Sequence, residues 1–210
     1  MSKRDEYAAQ VKPLIFRSAF GELEEMLMSD SNLPGPRGNL ELAYGFADCL
    51  KAMQYIDDNL WQALNKWVGI LAEDTSSDSP KEFIPFCALQ ALGAIFAFVD
   101  TERKAKIIEI LKAAANDSRW RVREAAAIGF QWIEEKDFKE SQKVFDGWIN
   151  RASLFERRAI VAALAHPPVL NDQNNVRFCF KITEIILNDL IDMGRESRKT
   201  KEFHCVTKRA

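Results

Sequence analysis

The segment from Asp117 to Phe130, DSRWRVREAAAIGF, returns in altered form on both sides of itself at nearly constant spacing. Arg123-Glu124-Ala125-Ala126 aligns with Arg157-Arg158-Ala159-Ile160 at an offset of 34 and with Phe86-Cys87-Ala88-Leu89 at 37. A period of this length marks one helix-turn-helix unit, which cannot bury its apolar side alone and must stack on copies of itself. The spacing therefore predicts an all-α protein wound as a right-handed α-α superhelix. Composition points the same way. The 210 residues include only 9 Gly and 7 Pro, which favours helices over a strand-and-turn fold, and an apolar content of 47% excludes disorder.

Residues 4–29 read as two short helices broken near Pro13, and the run DSNLPGPRGN, 30–39, as a linker. Periodicity resumes at Leu40–Ile56, and Asp57-Asp58-Asn59 reads as a cap for a helix over 58–73, ended by TSSDSP at 75–80. Further helices are expected over 81–99, 102–116, 118–135, 138–150, 153–166 and 173–193, with Pro167-Pro168 and Gly194 as stops. The result is one domain over 1–194. Residues 1–38 are its N-terminal helices and linker, 39–194 its repeats, and 195–210 a basic tail resembling the start of a truncated repeat helix. Terminal repeats need a polar outer side. An apolar last helix, with Phe178, Ile182, Ile185, Ile186 and Leu190, makes oligomerisation through an uncapped C-terminal end an expectation.

The formal charge of −2 is unevenly distributed: residues 21–84 hold 12 acidic and 4 basic side chains, and residues 195–210 hold 6 basic and 2 acidic. Cys49, Cys87, Cys179 and Cys205 are widely spaced and read as reduced core residues. With no leader pattern at the start and no continuous apolar run near 18 residues, the expectation is a cytoplasmic chain without a membrane partner.

Asp117, Val122, Arg123 and the alanines that follow resemble the second helix of HEAT-like, armadillo-like helical repeat proteins; the likeness covers roughly 40–194 and is strongest over 101–166. In such repeats the aspartate and arginine tie neighbouring turns together, which implies a framework role for Asp117 and Arg123. SRWRVREAAAIGFQW followed by ERRAIVAAL is similar to uncharacterised bacterial HEAT-like proteins, and distantly to the HEAT-like alkylpurine DNA glycosylases. Those enzymes set a Trp and an Asp one helical turn apart with an Arg from a following helix. Here Trp120 and Glu124 with Arg157 or Arg158 make the nearest approximation, and no Trp is followed four residues later by Asp.

On a wheel of 118–135, Val122, Ala125, Ala126, Gly129 and Ile133 point to the first-helix layer, while Trp120, Glu124, Ala127 and Gln131 point to the inner surface. The repeat offsets extend these into columns: Phe83, Trp120 and Leu154; Cys87, Glu124 and Arg158; Gln90, Ala127 and Val161. A groove with an aromatic rim and small residues within suits a protein or peptide, and its candidate contacts are Phe83, Trp120, Glu124, Gln131, Leu154 and Arg158. Arg119, Arg121, Arg151 and Arg157 are candidate nucleic-acid contacts, with Trp120 as a stacking surface. His166 and His204 lack metal-ligand spacing, and the loop LPGPRGN lacks a phosphate-binding lysine motif. Glu134-Glu135 read as cap or solvated positions. Neither a cofactor nor a catalytic group is expected, and the reading is a non-enzymatic scaffold. The alternative is a DNA-binding protein or a glycosylase acting on alkylated purines.

Overall fold

The computed structural model describes residues 1–74 and 79–208, and within them the chain is all-helical. The α-helices in order are α1 (Lys3–Phe16), α2 (Phe20–Ser29), α3 (Leu40–Met53), α4 (Asp58–Val68), α5 (Phe83–Ile95), α6 (Thr101–Ala114), α7 (Trp120–Lys136), α8 (Phe138–Trp148), α9 (Leu154–Leu164), α10 (Gln173–Asp192) and α11 (Lys201–Thr207). Residues 75–78 of the TSSDSP boundary lie outside the described residues.

Most starts are set by a side chain that accepts an orphan backbone N–H. Asn39, Asp57, Asp100, Asp137, Asp172 and Thr200 do this for α3, α4, α6, α8, α10 and α11. Ser2 with Asp5 and Ser153 with Glu156 form reciprocal capping boxes for α1 and α9. The break expected at Pro13 falls later. Pro13 lies in the last turns of α1, where it removes a single ladder bond, and the chain reverses instead at Ser18, whose φ is 52°. The 30–39 segment is packed, not a loose linker. Ser31 Oγ accepts from Leu33 N at 3.1 Å, Asn39 Nδ2 donates to Asp30 O at 2.8 Å, and Gly38 lies against the Phe83 ring.

Helices α1, α3, α5, α7, α9 and α11 each pack against the next in that order, while α4 lies on α5, α6 and α8 on α7, and α10 on α8 and α9. The C-terminal tail thus contributes a helix to this row: α11 docks on α9 with Val206 fully buried. The centre of the row is α5, FIPFCALQALGAI, every residue of which is buried. With its flanking 3-10 turns, the stretch Pro80–Phe98 is long and apolar enough to cross a membrane by length and composition, and 83% of its most apolar window is buried within the fold. Lys81, Glu82 and Gln90 interrupt it, so that it is not a continuous apolar run in the sequence.

Two glycines let α5 and α7 approach closely. A Cβ on Gly93 would lie 2.1 Å from Gly129 O, and one on Gly129 would meet Leu111 Cδ2 at 2.6 Å and Leu89 O at 3.0 Å. Because the obstacle at Gly93 is backbone, the helices must separate to admit a methyl group. Gly93→Ala is expected to cost about 3 kcal/mol, the upper part of the overpacking range, despite its gain in helix propensity. Gly147→Ala meets nothing within 4 Å and is expected to be neutral or slightly stabilising. Denaturant midpoints of the two variants provide the check.

Candidate partner-binding face

A candidate face is formed by α1, α3, α7 and α9, because side chains of α3 and α7 meet across α5. Tyr44 of α3 and Trp132 of α7 pack edge to face with centroids 6.2 Å apart. The Arg4 guanidinium of α1 lies 5.1 Å from the Tyr44 ring and 5.5 Å from the Trp132 ring, and its Nε donates to Asp48. Lys51 Nζ stands 4.8 Å from the Trp132 ring and 3.4 Å from Glu135 Oε2. The other oxygen of Glu135 is 2.9 Å from His166 Nε2, just beyond α9.

Between α7 and α9 the expected offset of 34 is realised as direct contact. Arg158 donates to Glu124 Oε2 at 2.6 Å, and about two turns further along α7 Gln131 Nε2 donates to Ala162 O at 2.9 Å. Glu124 and Gln131 therefore face α9. Leu154 is half-buried at the start of α9. Trp120 is 46% exposed, and its ring covers Arg121, whose guanidinium carbon is 4.5 Å from the ring centre.

Other assigned residues are interior. Phe83 is fully buried, stacked on Phe86 at 5.5 Å, and cannot form a rim with Trp120 and Leu154. Cys87, Gln90, Ala127 and Val161 are likewise buried. The reason is α5: with no charged side chain it is enclosed by its neighbours on every side, so the predicted groove is filled where α3 and α7 converge. Three of the four arginines assigned to nucleic acid are also committed to the framework. Arg119 chelates Asp117 at 2.9 and 2.7 Å and donates to Ile70 O at 2.9 Å. Arg121 pairs with Glu82 at 3.3 Å and donates to Gly35 O at 2.7 Å. Arg157 pairs with Asp189 at 2.6 Å and donates to Ala152 O at 3.2 Å. Arg151 alone of the four is exposed.

Asp117 and Arg123 hold neighbouring turns. Burial works to raise the Asp117 carboxyl, but hydrogen bonds from Arg119 outweigh it and hold the carboxyl below its ordinary range. Arg123 Nη1 donates to Asp117 O at 2.6 Å and Ser118 O at 2.9 Å, under the Phe155 ring. Glu134, expected to be a cap or solvated, is buried. Neither carboxylate oxygen has a hydrogen-bond partner, and burial, with the charge of Glu135, pushes its pKa up to about 8. Its position four residues after Phe130 and seven after Ala127, both buried, was a legible sign of an inward direction.

No protein-family model, curated protein or solved structure matches the chain. The face must be judged on its own chemistry. Among the described residues, no three His, Cys, Asp or Glu side chains converge so as to hold a metal ion. Arg4, Lys51 and Arg158 are each matched to a carboxylate, Asp48, Glu135 and Glu124 respectively. The sequence carries no sign of the roles of Arg4, Tyr44 and Lys51, because α1 and α3 lie outside the stretch of strongest internal similarity, and none of the contacts of Trp132 with Tyr44 or of His166 with Glu135, because only the fold brings these residues together.

Proposed function

We propose that the chain is a right-handed superhelix of HEAT-like helix pairs that serves as a non-enzymatic scaffold, binding a protein or peptide on the face formed by α7 and α9 with α1 and α3 opposite. The regular succession of odd-numbered helices and the Glu124–Arg158 contact at the repeat offset support the superhelical reading. The observation that carries the functional reading is the pairing of charges on this face. A phosphate backbone is held by several cations left available to it, whereas paired charges, one of them Glu124–Arg158 a single turn from the exposed Trp120, offer a partner both polar contacts and an aromatic anchor. Trp120 is that anchor, with Glu124, Gln131, Leu154 and Arg158 around it. The DNA-binding and glycosylase reading has less support, since Arg119, Arg121 and Arg157 are turned into the fold.

A photo-crosslinking amino acid placed at Trp120 in the native host tests the reading, with the same group at exposed Glu109 on α6 as control. One protein captured at position 120 and absent at 109 is the expected result. Trp120→Ala should lower recovery of that protein at least about tenfold, equivalent to about 1.4 kcal/mol, while Trp120→Phe, which keeps a ring over Arg121, retains more of it. Crosslinks to nucleic acid, together with duplex-DNA binding that weakens steeply with salt, would overturn the proposal in favour of the alternative.

A further inference from the structure

Helix α10 is apolar on two opposite sides. Phe178, Ile182, Ile186 and Leu190 are buried against the body of the protein. At 100° per residue, Val176, Phe180, Thr183, Leu187 and Ile191 make a second stripe on the far side. Phe180 is 72% exposed, Ile191 67% and Leu187 41%. Three large apolar side chains aligned over three turns of one helix form a contiguous patch, unlike scattered surface residues.

The charges beside this stripe suggest what covers it. Arg177 and Lys181 flank the N-terminal half, and Glu184 and Asp192 flank the C-terminal half on the same edge. When two identical helices pack antiparallel about a two-fold axis perpendicular to both, each edge meets the same edge of the other copy with its ends reversed. Cations at one end and anions at the other, confined to one edge, therefore complement themselves. If Phe180 lies opposite Ile191 of the second copy, Leu187 packs near the axis and Arg177 lies about 3 Å in axial rise from Asp192 of the second copy. In the single chain Arg177 reaches only as far as Asn174 Oδ1 at 3.5 Å, and Lys181 pairs with Asp146, both groups being exposed.

We propose that this face binds a second copy of the chain, α10 against α10, in an antiparallel two-fold pair. The patch is smaller than the roughly 800 Å² per partner of a standard interface, so the association is weak and reversible, with a dissociation constant on the order of 10–100 µM. It is separate from the α7 and α9 face and leaves that face open.

Sedimentation velocity over a concentration series tests the pairing. The expected result is a monomer–dimer equilibrium that Phe180→Glu weakens at least about tenfold, with the unfolding midpoint of this exposed variant unchanged. Arg177→Asp and Asp192→Arg should each weaken it, and the double substitution should restore it, because exchanging both charges regenerates the same complementarity. A chain that stays monomeric at several hundred micromolar, a dimer indifferent to Phe180→Glu, or a double variant no better than the single ones would each overturn the proposal.

Discussion

Arg121→Met is expected to lower the unfolding free energy by about 3–5 kcal/mol, read from denaturant curves at neutral pH. Arg121 and Glu82 are an ion pair with side chains 3% and 0% exposed, and Arg121 also supplies the donor for Gly35 O at 2.7 Å. Removing the guanidinium takes from the buried Glu82 carboxylate the cation 3.3 Å away, a larger cost than the net worth of the pair. The double variant Glu82→Leu with Arg121→Met should recover most of the loss, since neither member of this pair is then left buried without the other. Arg103, whose partner Asp58 is 81% exposed, provides the contrast: Arg103→Met is expected to cost about 1 kcal/mol or less. Equal losses at the two sites would show that the Arg121 environment is wet and the helix-to-loop junction loosely packed.

The second large effect depends on pH. Glu134 holds its proton up to about pH 8 in the folded chain, mainly because burial disfavours the carboxylate and secondarily because Glu135 is adjacent. In the unfolded chain the same group ionises near its ordinary value of 4.5. Unfolding between these values releases a proton, so rising pH favours the unfolded state. The contribution is fully present below about pH 4.5, falls by about 1.4 kcal/mol per unit, and is gone above about pH 8. Over that window the loss is on the order of 4–5 kcal/mol. Glu134→Gln cannot ionise; its stability should match the parent within about 1 kcal/mol at pH 4 and exceed it by several at pH 8.5. Parallel curves for the two proteins across this range would mean that Glu134 is hydrated in the folded state. The same burial pushes the neighbouring Cys179 thiol up to about 11, with Glu134 adding to it, so Cys179 stays protonated through the whole titration.

How much of this was legible in the sequence depends on the range of the interaction concerned. The start of α4 was readable because a cap is a local interaction between one side chain and the next turn's N–H groups, as at Asp57. The Glu124–Arg158 contact was readable because an offset of 34 in the sequence sets these two residues at equivalent positions on α7 and α9, which pack together. Phe83 was misplaced because the same arithmetic was carried to α5, a helix whose lack of charge already marked it as enclosed on all sides. The Arg4, Tyr44 and Trp132 cluster was not readable, since it joins residues on α1, α3 and α7 through tertiary contacts that no local pattern encodes. Arg119, Arg121 and Arg157 appeared as a basic patch because their partners, Ile70 O, Glu82 and Asp189, are distant in sequence or carried by backbone. Counting charges along one helix cannot reveal such pairs.

Helix α5 is enclosed, and side chains of α3 and α7 meet across it. Cys87 reports on this directly. The repeat columns place it on the wall of an open groove beside Glu124 and Arg158, whereas the structure buries it completely, and burial pushes its thiol far above the ordinary range. Native-state labelling with iodoacetamide, resolved by peptide mass spectrometry, separates the two arrangements. The account predicts that Cys87 is modified only at the rate of global unfolding, while the partly exposed Cys205 on α11 reacts orders of magnitude faster. Modification of Cys87 at a rate comparable to Cys205 under native conditions would contradict it.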